Sequence, residues 1–133
     1  MVNEKYIKLI GEAEKARKKA YTPYSKFKVG AAIVTSEGRI FSGCNIENAS
    51  FGLTICAERV AIFKAISEGF KKFEAIAIIA DTLRPCYPCG ACRQVILEFG
   101  EDITLVMANL KGDIKINKIK ELLPEAFNKN DLL

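Results

Sequence analysis

Near the N-terminus, Tyr6, Ile7, Leu9, Ile10, Ala13, Ala16 and Ala20 recur at roughly helical spacing with charges between them. Asn3 is placed to cap this helix, Glu4 lies in its first turn, and Arg17, Lys18 and Lys19 suit the negative end of its dipole. Thr22-Pro23-Tyr24-Ser25 breaks the pattern. Val29 to Thr35 is short and apolar, which predicts a buried strand, and Ser36-Glu37-Gly38-Arg39 turns the chain into a return strand over Arg39 to Cys44. After a loop at Ser50-Phe51-Gly52-Leu53, Cys56 to Ser67 predicts a helix that is apolar nearly all round and therefore buried, with Gly69 as its C-cap. Phe73 to Asp81 reads as a central strand, Thr82 to Pro88 as a loop, Ala91 to Phe99 as a helix and Ile103 to Asn109 as another strand. A turn at Lys111-Gly112-Asp113 leads to a short strand at Ile114-Lys115-Ile116. Asn117 is expected to cap a last helix through Leu122, stopped by Pro124. Helices alternating with short buried strands imply one α/β domain whose helices cover a sheet.

The chain has 133 residues, half of them hydrophobic, enough for one domain with a proper core. No apolar run reaches membrane-spanning length, and the polar start Met1-Val2-Asn3-Glu4-Lys5 leads into no signal-peptide core, so a cytosolic location is expected. Five cysteines, an odd number, suggest thiols or metal ligation there rather than bridges. The net charge of +4 is a mild surplus and no nucleic-acid footprint. Histidine is absent, which excludes Ser-His-Asp and Cys-His mechanisms and every histidine metal site.

Two short stretches carry the candidate chemistry: Thr54-Ile55-Cys56-Ala57-Glu58-Arg59 and Pro88-Cys89-Gly90-Ala91-Cys92-Arg93-Gln94. Cys89 and Cys92, three residues apart at a helix start, share one face. Cys56 falls at the start of the other helix, and helix N-termini favour thiolates. Three thiolates suit zinc and leave its fourth position open, the catalytic pattern, while Glu58 is a carboxylate suited to proton transfer. Three thiolates on Zn²⁺ sum to a charge of about −1, which weakens its acidity, and Arg59 is the cation placed to offset this by hydrogen bonding to sulfur. A redox CxxC and a structural zinc compete with this reading. A structural zinc needs a fourth ligand from Cys44, which on a strand reads as a small buried core thiol, or from Cys86, which reads as a loop residue of no fixed role. Gly43-Cys44-Asn45-Ile46-Glu47-Asn48 places two amides and a carboxylate directly after a strand, where ligand contacts often sit.

Cys56-Ala57-Glu58-Arg59 and Pro88-Cys89-Gly90-Ala91-Cys92-Arg93-Gln94 resemble the paired zinc motifs of the small homotetrameric cytidine deaminases. The likeness extends to Pro23-Tyr24-Ser25-Lys26-Phe27, Gly43 to Ala49, Ala65 to Gly69 and Glu121-Leu122-Leu123-Pro124, nearly end to end. It implies one catalytic domain over residues 1–133: a three-layer α/β sandwich with a mixed five-stranded sheet covered by helices. The implied reaction is hydrolytic deamination of free cytidine and deoxycytidine to uridine and deoxyuridine, in pyrimidine salvage. In that reaction Cys56, Cys89 and Cys92 hold zinc, hydroxide on the metal attacks C4, and Glu58 moves protons from water to ring N3 and to the departing ammonia. Asn45 and Glu47 are implied on the ribose hydroxyls, Phe27 on the base, and the Ala57 backbone at the pyrimidine edge. Phe51 and Phe127 are implied as aromatic contributors to sites shared between the four subunits of a homotetramer. Tyr87 and Cys86 depart from the usual sequence before the second motif, and Phe51 stands where many relatives carry tyrosine. Arg93 has no role beyond helix-end charge.

A polynucleotide-editing deaminase is a weaker reading. It needs a basic, aromatic-lined groove for which this chain has no spare segment, and Glu47 would oppose a phosphate. Two further readings stay open: a zinc-binding interaction module without turnover, and a deaminase of modified nucleosides or nucleoside antibiotics.

Overall fold

A computed structural model describes residues 2–133. Helix α1 (Glu4–Arg17) begins where the Asn3 side chain accepts the Lys5 N–H at 2.8 Å, the expected cap. Strands β1 (Val29–Thr35) and β2 (Ile40–Cys44) form an antiparallel hairpin, followed by helix α2 (Ala57–Ser67) and strand β3 (Phe73–Ala80). Helix α3 (Gly90–Glu98) leads to strand β4 (Thr104–Asn109), strand β5 (Ile114–Lys118) and the short helix α4 (Ile119–Leu122). The five strands lie in the order β2-β1-β3-β4-β5; β3 and β4 are parallel and the other neighbours antiparallel, so the sheet is mixed as expected.

The alternation of side chains along each strand divides the core into two layers. Ala31, Ile33, Ile76, Ile78, Leu105 and Met107 meet Ala61, Ile62 and Ala65 of α2, Ile96 of α3 and Ile119 of α4 on one face. Ala32, Val34, Ala75, Ala77, Ile79, Val106 and Ala108 meet Leu9 and Ala13 of α1 on the other. The result is the three-layer sandwich. The α1 face is lined largely by alanine, which lets α1 approach closely. At Gly30 the approach is so close that a Cβ would stand 1.9 Å from the Ala13 carbonyl oxygen. Gly69 takes φ of +96° after α2, and Phe70 N–H closes the turn on Ala65 O at 3.0 Å, the expected glycine C-cap.

Three expectations need correction. Helix α2 is not buried all round: Ala57, Glu58, Ala61, Ile62 and Ala65 face inward, whereas Phe63 is 45% exposed. Among the described residues nothing covers Phe63 on the outer side, which it shares with the exposed Lys64 and Ser67. Asn117 does not cap the last helix, because β5 continues through it with Asn117 opposite Leu105. The helix start is instead fastened by the Glu121 carboxylate, which accepts the Lys118 N–H at 2.6 Å. Cys44 is half-buried at the end of the edge strand β2 and not a core thiol. Among the described residues no helix is long and apolar enough to cross a membrane.

Candidate metal centre and substrate pocket

Helices α2 and α3 begin on cysteines, Cys56 and Cys89, in extended conformation, and neither thiol caps its own helix. Their sulfurs point towards each other, 3.8 Å apart, and Cys92, one turn into α3, completes a group of three sulfurs all within 4.8 Å of one another. A tetrahedral centre with metal–sulfur bonds of about 2.3 Å spaces its sulfurs about 3.8 Å apart, so the arrangement fits zinc. The protonation pattern agrees. A hydrogen bond from Cys92 and the guanidinium of Arg59 hold the Cys56 thiol down to about 5. Cys92, donating to Cys56 and buried, is pushed above the ordinary thiol range. The proton that Cys92 shares with Cys56 is what a bound cation displaces. Cys44 and Cys86 stand outside this group, which leaves no fourth cysteine ligand among the described residues.

Arg59 is where the offsetting charge is needed. One guanidinium nitrogen donates to Cys56 Sγ at 3.2 Å, while its Nε is buried with no partner. Arg59→Gln is expected to loosen zinc or slow turnover by about 10- to 100-fold, read by competition with a chelator and by steady-state rates. Unchanged zinc retention and rate would remove the charge-offsetting role.

A cavity of about 190 Å³ opens beside the thiols and is lined by Phe27, Asn45, Cys56, Ala57, Glu58 and Cys89, with Val29, Thr54, Ile55, Cys86 and Tyr87 completing the wall. Six of the residues singled out from the sequence therefore meet in one place. Glu58, second residue of α2, is 4% exposed. Burial pushes its carboxyl up to about 7, the nearby Cys56 thiolate adds to this, and its own backbone N–H works in the opposite sense. A carboxyl poised near neutrality can both take and return a proton.

Non-local backbone pairing brings the walls together. Ile46 and Ile55 exchange hydrogen bonds at 3.0 Å in both directions, which sets Asn45 beside the Cys56 segment. Tyr21 N–H donates to Asn45 O at 3.0 Å and Glu47 N–H to Tyr21 O at 2.9 Å, which brings in the 21–27 segment. Asn45 uses its amide on backbone: Oδ1 accepts from Val29 N at 2.9 Å and Nδ2 donates to Phe27 O at 2.8 Å. Glu47 lines a neighbouring depression with Tyr24, Ser25, Phe51 and Thr54, and Thr54 borders both spaces. Phe51, 74% exposed, stands edge-on to Tyr24 with ring centres 6.0 Å apart. Phe127 is not brought to the pocket of its own chain. It lies by the C-terminal tail, where its carbonyl accepts from Gln94 Nε2 at 2.8 Å.

The structure also gives roles to residues that the sequence left without one. Cys86 is a pocket wall and not a free loop residue. Its N–H is bonded to Ala108 O at 3.0 Å, and burial, with Glu58 nearby, pushes its thiol up to about 11, so it stays protonated. Tyr87 lines the same wall beneath the Arg84 guanidinium, 4.6 Å from the ring centre. Arg93 clamps the ligand loop: Nε donates to Pro88 O at 2.8 Å and a terminal nitrogen to Leu122 O at 2.9 Å. Its partners lie off its own helix turn, so spacing gave no sign of them.

Comparison with known proteins agrees with this geometry. Residues 3–108 match the model of the cytidine and deoxycytidylate deaminase zinc-binding region. A cytidine deaminase of Sporosarcina psychrophila is 55% identical over 126 residues, covering 94% of this chain and 93% of the relative. A blasticidin-S deaminase of Bacillus cereus is 34% identical, covering 80% of this chain and 81% of the relative. The crystal structure of a cytidine deaminase from Burkholderia pseudomallei superposes with a TM-score of 0.89 at 49% identity, covering 96% of this chain and all of that one. With the three thiols, the buried carboxyl and the match along most of its length, this chain belongs to the zinc-binding cytidine and deoxycytidylate deaminase family.

Proposed function

We propose that this chain, acting as one catalytic domain, deaminates free cytidine and deoxycytidine to uridine and deoxyuridine with release of ammonia. The observation that carries the reading is the buried Glu58 carboxyl lining the same cavity as the Cys56 and Cys89 thiols. Zinc held by Cys56, Cys89 and Cys92 supplies the Lewis acidity that makes water nucleophilic at neutral pH. Glu58 takes a proton from the attacking water and delivers it to ring N3 as the new oxygen bonds to C4. It then carries the hydroxyl proton to the amino group, the C4–N4 bond breaks, and uridine and ammonia leave. The Ala57 backbone, at the first turn of α2 in the wall of that cavity, is assigned to the pyrimidine edge. Phe27 walls the base, and Asn45 and Glu47 face the ribose. Each retains bonding capacity beyond its backbone contacts: the second amide hydrogen of Asn45 and a free lone pair of Glu47.

The reading places the enzyme in the cytoplasm, in pyrimidine salvage, as a homotetramer with shared sites. Support for assembly lies in the exposed apolar residues Ile46, Phe51, Leu53, Phe63 and Phe127, large side chains that a second copy can cover. Phe51 already lines the Glu47 depression of its own chain, whereas Phe127 reaches a substrate pocket only by such sharing. The test is the fall in ultraviolet absorbance of cytidine and deoxycytidine with purified zinc-loaded protein, with sedimentation mass measured alongside. Loss of the signal and a mass of four 14.7 kDa chains are expected. Zinc-loaded protein inert towards both nucleosides would discard the salvage reading and direct the assay to nucleoside antibiotics.

A further inference from the structure

The turn that carries Phe27 to the pocket is built by a residue to which neither the motifs nor the resemblance gives a role. The Ser25 hydroxyl donates to Glu47 Oε2 and accepts from Phe27 N–H at 3.0 Å. Glu47 Oε1 accepts the backbone N–H groups of Tyr24 and Ser25, each at 3.1 Å. On the far side of Phe27, its carbonyl is held by Asn45 Nδ2 at 2.8 Å. Both backbone polar groups of Phe27 are thus tied down, one through Ser25 to Glu47 and the other directly to Asn45. Between Ser25 and Phe27, Lys26 has φ of 62°. A residue with a Cβ keeps that left-handed conformation where its neighbours hold it there.

We propose that Ser25 is a positioning residue of the substrate site, fixing the Glu47 carboxylate and the Phe27 backbone in one geometry so that the sugar acceptor and the base wall are set together. The proposal rests on the reading of cytidine as substrate. A carboxylate offers about four lone-pair directions. The Tyr24–Ser25 turn fills three on Glu47, so Ser25 determines the direction left for a sugar hydroxyl. Without the hydroxyl, Glu47 keeps only the two N–H bonds on Oε1, Phe27 N–H loses its acceptor, and Lys26, whose own N–H stays on Thr22 O at 3.1 Å, loses one of the contacts that hold it in the left-handed region. The thiols and Glu58 stand on α2 and α3, and none of them bonds to Ser25. The defect therefore falls on substrate binding, on the sugar acceptor most because Glu47 loses a bond directly, and leaves the chemical step in place.

The experiment compares steady-state constants for cytidine and 2′,3′-dideoxycytidine in wild type, Ser25→Ala and Ser25→Thr. Ser25→Ala is expected to raise KM for cytidine about tenfold and to keep kcat within about threefold. It is also expected to shrink the wild-type preference for cytidine over the dideoxy analogue about tenfold, with Ser25→Thr, which keeps the hydroxyl, restoring both. Should Ser25→Ala not fold, Ser25→Cys carries the same comparison. A wild type that turns over cytidine, beside a variant that loses thermal stability but keeps KM and the sugar preference, would overturn the positioning role alone. A wild type inert towards cytidine would overturn the substrate reading and this inference together.

Discussion

Glu58→Gln is expected to keep its zinc and to lose turnover of cytidine by about 10²- to 10⁴-fold, the usual worth of a positioned acid–base group. Glutamine preserves the size of the side chain in a place only 4% exposed, so the fold and the α2 N-terminus stay as they are. The three sulfurs are untouched, so metal content is the internal control. What goes is a carboxyl that burial holds at about 7, where it can accept a proton and release it again in one cycle. With histidine absent from the sequence, no imidazole stands ready to take over. Zinc analysis beside the absorbance assay decides the matter: a metal-loaded variant with near-native rate would show that another group moves the protons.

Cys89→Ala is expected to abolish both zinc retention and turnover while costing little in the metal-free fold. Cys89 is exposed at the start of α3 and caps nothing, so its removal leaves no core cavity. Cys92 is fully buried, and its removal would mix metal loss with a packing defect. The readout is the thermal midpoint with and without added zinc. A ligand at 100 times its dissociation constant stabilises the fold by about 2.7 kcal/mol, and this increment should appear in wild type and vanish in Cys89→Ala. Cys44→Ala, which removes a thiol outside the metal group, should retain it. Zinc-dependent stabilisation surviving in Cys89→Ala would mean that another ligand completes the site, with Cys86 the first to test.

The chemistry was legible in the sequence because it is written locally. Cys89 and Cys92 need only a helix turn to meet, and Cys56, Ala57 and Glu58 need only the start of α2. The strands were legible for a related reason: β1, β3 and β4 are buried along most or all of their length, and such strands read as continuous apolar runs. What stayed hidden depends on partners far along the chain. Cys86 joins the pocket wall because Ala108 and Asn109, at the end of β4, hold its loop, Asn109 through Leu83 O at 3.5 Å. Glu47 looks like a surface acid until the fold lays Tyr24 and Ser25 against it. Periodicity also could not separate the two sides of α2: Ile62 faces the sheet and Phe63 faces out, and both are equally apolar.

The seat of α1 on Gly30 bears on how the pocket moves. With the Ala13 carbonyl pressed against that glycine, no side chain intervenes between α1 and β1 at this point, and Ala32 and Val34 pack on Leu9 and Ala13 beside it. The adjoining Val29 N–H is the donor that holds Asn45 in the pocket wall. Helix, strand and pocket floor therefore shift as one body, and the amides of β1 and β3 exchange with deuterium at the pace of global unfolding. The opposite rim, where Phe51 and Leu53 are 74% and 71% exposed, is tied by few contacts and exchanges through local opening in a free chain. A nucleoside entering this site meets a stiff floor at Asn45, and in a chain free of partners the give needed to admit and release it comes from the Phe51–Leu53 rim.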